Sequence, residues 1–374
     1  MSPEKKTFRD KLKAAPQKKL LALDGGGIRG VITLEILAKI EQMLREKSGN
    51  SALVLSDYFD YLAGTSTGAI IAACLAKGMA VAGVTKFYHE SGHAMFTRAG
   101  ILKRFRYKFA DDALSKKLQD VLGANTTLGS DDLQTLLMLV MRNATTDSHW
   151  PVSNNPSAKY NDPLLDDCNL HIPLWQLVRA STAAPTYFPP ELVHIGKKDF
   201  LFVDGGMTMY NNPAFQLFLM ATVEPYNLKW ATGVDKMLVV SVGTGTSPKA
   251  NANLQADEMN LLYNAGSIPS ALMFAALNEQ DFLCRVFGDC RVGCKLDSEI
   301  GDMKAKAGPA VPKLFTYLRY NAELTDEGLR QLHLVDIKPE HVQALDSVDH
   351  IAEMQQVGQA VAKHEVQKEH FAGF

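Results

Sequence analysis

The sequence has few cysteines, no long apolar run and no marked excess of charge of either sign. Its five cysteines, an odd number in 374 residues, are typical of reduced thiols rather than of a disulfide framework. No segment approaches the roughly 18 consecutive apolar residues that a membrane-spanning helix needs. The formal net charge of −2 favours neither nucleic acid nor another strongly anionic partner. A small disulfide-stabilised domain and a helical membrane protein are therefore excluded.

The sequence also lacks the core of a signal peptide and the C-x-x-C spacing of a metal site. Residues 1–18 are polar and basic, and the apolar stretch after them, Leu20–Leu23, is too short for the core of a signal peptide. We therefore expect a flexible lead-in over residues 1–18 and a cytoplasmic protein. Cys284, Cys290 and Cys294 lie close together but lack C-x-x-C spacing, so we expect structural thiols there and no metal.

What the sequence does contain is a repeated order of strand, glycine-rich turn and helix. Four short apolar segments, each predicted to be a strand, lead into such turns: Lys19–Leu23, Tyr58–Ala63, Phe200–Val203 and Met237–Val242. Helical spacing of apolar residues follows the first two, over Val31–Lys47 and Ala69–Lys77. This order is typical of an α/β fold with a mostly parallel sheet, in which ligands bind at the carboxyl ends of the strands. We therefore expect all four turns at one edge.

The first turn is the glycine-rich loop Asp24-Gly25-Gly26-Gly27-Ile28-Arg29-Gly30. Glycines let the backbone N–H groups face a bound atom without side chains in the way, and the following helix adds its positive end. Such a loop can hold an oxyanion or a phosphate. Gly25, Gly27 and Gly30 also fit the G-x-G-x-x-G pattern of dinucleotide-binding proteins, so this loop alone leaves nucleotide binding open.

The second turn contains a serine between two glycines. Gly64-x-Ser66-x-Gly68 lies between a predicted strand and a predicted helix, which is the setting of a nucleophile elbow. The pattern also arises by chance, but its position downstream of a glycine-rich loop favours Ser66 as a nucleophile over a dinucleotide site.

The third turn supplies a carboxylate. A nucleophilic serine needs a base that accepts its proton. Asp204 ends a predicted strand and is followed by Gly205 and Gly206, which permit close approach. A simple Asp-Gly turn is the structural alternative at this position.

Together these three turns resemble, in type and order, the oxyanion loop, nucleophile elbow and catalytic aspartate motif of the patatin-like phospholipase family. Three further segments are similar to that family: Arg179–Pro190, Asn211–Pro213 and Ser241–Gly245. The resemblance covers about residues 18–330. It implies a three-layer α/β/α fold with residues 19–330 as the catalytic domain. Residues 331–374 would then be a helical tail packed on this domain or extending it.

The resemblance also implies a Ser66–Asp204 dyad that works without a catalytic histidine and without a cofactor. Gly25, Gly26, Gly27 and Arg29 would form the oxyanion hole, supported by the motif glycines at 30, 64, 68, 205 and 206. The expected substrate is a phospholipid or another acyl-ester lipid. The expected class is therefore a metal-independent lipid acyl hydrolase.

Several alternatives stay open at this point. The same acyl-enzyme permits transfer to an acceptor other than water, and a Ser–Asp–His enzyme would need a late histidine such as His333 or His341. Some bacterial patatin-like proteins are effectors activated by a cyclic nucleotide, although no nucleotide site is evident here. Ile101–Phe109 interleaves cations with apolar residues and is a candidate for transient, peripheral contact with a membrane. Residues 143–169, rich in Asn, Asp, Ser and Pro, are expected to be mostly loop and are a candidate lid.

Overall fold

The computed structural model describes residues 6–96, 107–185, 187–247 and 261–374. The strands are β1 (Lys18–Leu23), β2 (Tyr61–Thr65), β3 (Leu136–Asn143), β4 (Ser148–Ser153), β5 (Glu191–Ile195), β6 (Lys198–Asp204), β7 (Met237–Val242), β8 (Asp289–Val292) and β9 (Thr316–Tyr320). The helices are α1 (Gly30–Ser48), α2 (Leu55–Tyr58), α3 (Thr67–Ala76), α4 (Val81–Phe96), α5 (Tyr107–Leu122), α6 (Leu174–Ser181), α7 (Ala214–Thr222), α8 (Leu261–Phe287), α9 (Asp326–Gln331), α10 (Pro339–Gln343) and α11 (Ile351–Glu365). None of these described helices has the length and hydrophobicity of a membrane span.

The strands form one sheet in the order β5-β6-β3-β2-β1-β7-β9-β8, with β4 also paired to β3. The run from β3 to β8 is parallel throughout. The remaining pairs, β3 with β4, β3 with β6 and β5 with β6, are antiparallel. The prediction of a mostly parallel α/β sheet is confirmed.

Helices cover both faces of this sheet. A Cβ added at Gly64 would lie 2.1 Å from the Gly68 carbonyl oxygen, so α3 covers the face toward which Gly64 points. Tyr61 points to the opposite face, because side chains alternate along a strand. Its ring packs edge-on against Trp230, whose N–H donates to the Ala221 carbonyl of α7 (2.8 Å), and α7 itself contacts β1, β2 and β7. With helices on both sides, the fold is the predicted three-layer α/β/α arrangement.

The central strands are buried along their whole length, and mostly apolar, because both of their faces are covered. All residues of β2 and β7 are buried, including Tyr61, Leu238 and Val240, each with an exposed fraction of 0%. Parallel strands covered on both faces generally read as continuous apolar runs. Burying one such aliphatic side chain contributes about 1.5 to 3 kcal/mol to stability. This core fixes the strand ends from which the glycine-rich turns leave.

Two segments differ from the sequence-based expectation. Strand β2 begins at Tyr61 rather than Tyr58, because the Asp57 carboxylate accepts a hydrogen bond from the Val54 N–H (3.1 Å) and starts the short helix α2. Residues 143–169 contain strand β4, which pairs with β3 beyond a turn in which Asn143 accepts from the Thr146 N–H (3.1 Å). The sequence predicted mostly loop here because the segment is rich in turn-forming polar residues. Outside β4 it does consist mainly of turns.

The two ends of the described chain are both packed against the sheet domain. Phe8, in the stretch expected to be a flexible lead-in, has an exposed fraction of 0% and donates its N–H to the Leu133 carbonyl (2.7 Å). At the other end, α11 packs along α1. The helices approach closely at Gly358, where an added Cβ would lie 2.8 Å from the Ile32 carbonyl oxygen. The lead-in is therefore ordered from this point, because an aromatic side chain anchors it.

Candidate active site

Ser66 occupies a strained turn between β2 and α3. Its backbone has φ 55° and ψ −122°, a conformation that non-glycine residues seldom adopt. The glycines on both sides are sterically required. A Cβ at Gly64 would overlap the Gly68 carbonyl, and a Cβ at Gly68 would lie 2.3 Å from the Leu23 carbonyl oxygen. The turn therefore holds Ser66 at the carboxyl edge of the sheet, as a nucleophile elbow requires.

The Ser66 hydroxyl donates a hydrogen bond of 2.7 Å to Oδ2 of Asp204. The other carboxylate oxygen, Oδ1, accepts from the Gly206 N–H at 2.7 Å, which fixes the plane of the carboxylate. Burial raises the pKa of Asp204 to about 6, opposed by the bonds from Ser66 and Gly206 and by the charge of Arg179. An acceptor of this pKa, directly on the serine hydroxyl, is suited to proton transfer near neutral pH.

Asp204 reaches Ser66 by a route that the sequence did not predict. We expected it at the carboxyl end of a parallel strand, but β6 runs antiparallel to β3. A fully overlapping antiparallel strand would end at the opposite edge of the sheet. Strand β6 instead overlaps only the last residues of β3, with Asp204 opposite Met141 and Phe202 opposite Asn143. The aspartate thus stops beside Ser66 because the overlap is short.

The glycine-rich loop lies next to the serine. A Cβ added at Gly25 would lie 3.3 Å from Cβ of Ser66. We expected the Gly25 N–H to face an oxyanion. It instead donates to the Asn211 carbonyl (3.0 Å). Within the part of the chain that the structure describes, the N–H groups of Gly26 and Gly27 have no hydrogen-bond acceptor. These two N–H groups are the ones that remain available to a bound anion.

A buried ion pair holds the start of this loop. Arg319 donates to both carboxylate oxygens of Asp24, at 3.0 and 2.6 Å, and to the Ser241 hydroxyl at 2.7 Å. Both charged side chains are 1% exposed. Burial raises the pKa of Asp24, and the Arg319 charge opposes this rise. Thr244 adds a bond to the Gly25 carbonyl (2.9 Å), so the loop is fixed from the neighbouring strands.

Arg29 and Gly30 support the loop rather than pointing into it. Arg29 Nη1 donates to the Gln343 carbonyl (3.3 Å), and burial lowers the pKa of the guanidinium to about 10. Next to it, the Ile28 N–H donates to the Leu345 carbonyl (3.0 Å). Gly30 allows close packing, since an added Cβ would lie 2.6 Å from Oγ1 of Thr67. We had predicted that Arg29 lines the oxyanion hole. In the structure it contacts the C-terminal tail instead.

Two residues beside the serine carry contacts that sequence inspection missed. The Ser181 hydroxyl accepts from the Ser66 N–H (2.9 Å) and donates to the Val140 carbonyl (2.6 Å), which ties the elbow to β3. Asn211 contributes its backbone carbonyl to Gly25. Both residues lie in segments that resemble the family, but their roles depend on contacts between segments distant in sequence.

No histidine is a hydrogen-bond partner of Ser66 or Asp204 among the described residues. His194 is exposed and pairs with Asp199, and His333 is also exposed. His341 bonds to Glu353 at 2.9 Å. The geometry therefore gives no support to a late histidine as a third member of the site.

Several apolar side chains, which we call the rim, lie near Asp204 in sequence or near Gly206 in space. Met207 and Met209, just after Asp204, are 45% and 44% exposed. The Met273 methyl group on α8 lies 3.6 Å from the position of a Cβ at Gly206, and Leu272 next to it is 65% exposed. The candidate membrane segment Ile101–Phe109 falls outside the residues whose side chains are described. The described rim is thus apolar and rich in flexible methionine, which suits a substrate with an alkyl chain.

Comparison with known proteins agrees with the motifs. The family model for patatin-like phospholipase matches residues 21–218. Patatin-like protein 1 of Arabidopsis thaliana is 30% identical over 327 residues, covering 73% of this chain and 75% of that protein. Patatin-T5 of Solanum tuberosum is 29% identical over 259 residues, which cover 64% of this chain and only 63% of patatin-T5.

Solved structures also match, at lower similarity. Human GIVD cytosolic phospholipase A2 has a TM-score of 0.44 and 12% sequence identity, covering 96% of this chain and 63% of that one. VipD from Legionella pneumophila has a TM-score of 0.37 and 14% identity, covering 94% of this chain and 66% of that one.

Proposed function

Because this chain belongs to the patatin-like phospholipase family, we propose that it hydrolyses acyl esters of lipids with Ser66 as nucleophile and Asp204 as base. The observation that carries the proposal is the 2.7 Å hydrogen bond from the Ser66 hydroxyl to the buried Asp204 carboxylate. A structural serine would not need a strained backbone, two obligatory glycines and a carboxylate with a raised pKa.

In the first half-reaction, Asp204 accepts the Ser66 proton as the serine oxygen attacks the ester carbonyl. The tetrahedral intermediate then collapses, and Asp204 returns the proton to the leaving alcohol. In the second half-reaction a water molecule gives a proton to Asp204 and attacks the acyl-enzyme, and Asp204 returns that proton to the Ser66 oxygen as the ester bond breaks and the fatty acid leaves. The proton transfers and the charge stabilisation are thus assigned to residues of this chain, and none of these steps needs a metal.

The N–H groups of Gly26 and Gly27 are our proposed oxyanion donors. They belong to the loop beside Ser66 and have no acceptor among the described residues. Preorganised donors of this kind contribute on the order of 10² to 10³ each to the rate. Since a carboxylate is a weaker base than imidazole, we expect this loop to supply a large share of the catalysis.

The proposed substrate is a phospholipid or lysophospholipid, with its acyl chain held by the apolar rim. The rim residues Met207, Met209 and Leu272 are exposed. The two methionines follow Asp204 in sequence, and Leu272 is next to Met273, whose methyl group approaches Gly206. An alkyl chain on this surface would remove apolar area from water at about 25 cal/mol per Å². We propose transient contact with a lipid surface on this side of the molecule.

The test compares wild type with Ser66→Ala, Asp204→Asn and a matched control, Asp199→Asn. The control changes an exposed carboxylate on the same strand, β6. Fatty-acid release from p-nitrophenyl esters and from phospholipid vesicles is measured without added metal. We expect both site variants to lose at least about 10³-fold in kcat/KM while they keep the wild-type circular dichroism spectrum, and the control to keep full activity.

Full activity in Asp204→Asn would disprove the assignment of the base. An inert wild type would count against hydrolysis by this chain alone. Product analysis in the presence of an added alcohol distinguishes hydrolysis from transfer to an acceptor other than water.

A further inference from the structure

A second cluster of chemistry-bearing side chains lies in the C-terminal tail, on the part that contacts the glycine-rich loop. His341 is on α10, His350 ends the 3-10 helix Val348–His350, and Glu353 is in the first turn of α11. The Ser66–Asp204 chemistry uses none of the three. Each is about 30% exposed, at 29%, 31% and 28%.

The three side chains converge on one point. Nδ1 of His341 lies 2.9 Å from Oε2 of Glu353, and Nδ1 of His350 lies 2.9 Å from Oε1. The two imidazole rings are stacked, with centroids 3.8 Å apart and planes 15° apart. One ligand atom from each residue can be chosen so that all three lie within 4.8 Å of one another. The single carboxylate of Glu353 thus contacts the Nδ1 atom of each histidine.

We propose that His341, His350 and Glu353 form a binding site for a divalent transition metal of the Zn²⁺ type, separate from the Ser66–Asp204 site. Two imidazole nitrogens and one carboxylate oxygen are donors that suit Zn²⁺, whereas Mg²⁺ and Ca²⁺ prefer oxygen ligands. Because the side chains are partly exposed, a water molecule can take the fourth position, as in other three-ligand zinc sites.

Accepting the ion requires two local adjustments. Metal–ligand distances of about 2.0 to 2.2 Å place tetrahedral ligand atoms roughly 3.3 to 3.5 Å apart, so the present imidazole–carboxylate separations of 2.9 Å must widen by a few tenths of an ångström. The stacked rings, whose planes are 15° apart, must also rotate so that both Nδ1 lone pairs point to one ion. On binding, each histidine presents the Nδ1 lone pair and keeps its proton on Nε2, so any proton on Nδ1 is released to solvent.

The location of the site gives the metal a structural consequence. His341 precedes residues 342–349, and His350 and Glu353 follow them, so one ion would tie both ends of this segment together. The same segment provides the Leu345 carbonyl to the Ile28 N–H and the Gln343 carbonyl to Arg29. A bound ion would therefore hold the tail segment against the glycine-rich loop.

The experiment titrates the metal-free full-length chain with Zn²⁺ by isothermal calorimetry, with Mg²⁺ as a parallel titrant. We expect one Zn²⁺ per chain and no comparable Mg²⁺ binding. His341→Ala and the near-isosteric Glu353→Gln should each weaken this site by at least about 100-fold. The control His364→Ala removes an exposed histidine of the same tail, which forms a ring pair with His333, and should leave it unchanged.

Thermal unfolding provides a second readout that does not depend on hydrolysis. Saturating Zn²⁺ should raise the Tm of wild type and His364→Ala but not that of Glu353→Gln. Since Gln keeps the size of the side chain, this variant tests the ligand even if His341→Ala does not fold. Absence of a stoichiometric Zn²⁺ site in wild type, or unchanged affinity in a folded Glu353→Gln, would overturn the proposal.

Discussion

Asp204 is held between two opposing influences. Removal of its carboxylate from water favours the protonated form, whereas hydrogen bonds from Ser66 and Gly206 and the Arg179 charge favour the ionised form. The result is a pKa of about 6, above the ordinary value of 3.8. At neutral pH the group is ionised, and it is a stronger base than a solvated aspartate. Asp204 can serve as a base because burial raises its pKa while the hydrogen bonds and the Arg179 charge keep that pKa below 7.

This balance predicts the pH dependence of hydrolysis. Below about pH 6, Asp204 carries a proton and cannot accept the one from Ser66, so kcat/KM should fall about tenfold per pH unit. The same carboxylate also affects stability, because Asp204 has its ordinary pKa of 3.8 in the unfolded chain and a pKa of about 6 in the folded one. The free energy of unfolding should therefore fall as the pH rises from about 4 to 6, where the folded chain holds a proton that the unfolded chain has lost.

The measurement is a pH profile on a neutral ester in which the released alcohol is quantified directly by chromatography, with folding checked by circular dichroism at each pH. A rate that stays constant down to about pH 4.5 in the folded protein would contradict this role for Asp204.

At the scale of the single element, the glycine-rich turns were predictable and their attachments were not. The apolar cores of β1 and β7, Leu20–Leu23 and Met237–Val240, and the segment around β2 were recognisable in the sequence, as were residues 200–203 of β6. Strands β4 and β5 are short and partly exposed, and this pattern also describes loops. Likewise, the availability of the Gly25 N–H depends on the Asn211 carbonyl, which no local pattern reveals. The candidate site was predicted as residue types, while its hydrogen bonds required the fold.

The attachment of the glycine-rich loop gives a second prediction. Arg319→Met leaves the Asp24 carboxylate buried without its partner, which typically costs about 3 to 5 kcal/mol. The free energy of unfolding, measured with urea, should fall by about this amount, and hydrolysis should fall with it. The double variant Asp24→Asn/Arg319→Met removes both charges and should recover part of the lost stability.

Arg330→Met serves as the matched control, because the Arg330 side chain is 60% exposed and pairs with Glu327 across one turn of its helix. Its effect should stay within about 0.5 kcal/mol. If the double variant were less stable than Arg319→Met alone, the explanation by an unpaired buried charge would be wrong.

For the whole molecule, the tail is part of the folded unit that contains the site. Met354, Val357 and Val361 of α11 are all 0% exposed. Helix α11 packs along α1, and α1 begins directly after the glycine-rich loop. We therefore propose that a chain ended at residue 330 would expose this apolar surface. The boundary expected there marks the end of the resemblance to the family, and the contact of α11 with α1 agrees with a tail packed on the domain.

Helix docking at Gly358 gives the third prediction. Gly358→Val adds side-chain atoms where a Cβ alone would lie 2.8 Å from the Ile32 carbonyl oxygen, so α11 must shift away from α1. We expect a loss of about 1 to 3 kcal/mol in the free energy of unfolding. Gln356→Val, exposed on the same helix, is the control. Equal stability of the two variants in urea titrations would contradict close packing at this position.

The short overlap of β6 with β3 determines how an activity assay reports on the state of the protein. The hydrogen bond between Ser66 and Asp204 joins residues 138 positions apart, and Asp204 is carried by a β5–β6 hairpin at the edge of the sheet. That hairpin meets β3 at only three residue pairs. If it came loose, the parallel core would still give a folded spectrum, but the nucleophile would lack its base. The proposed hydrolysis would therefore report on the attachment of this one peripheral hairpin, a change that a circular dichroism spectrum of the whole chain would barely register.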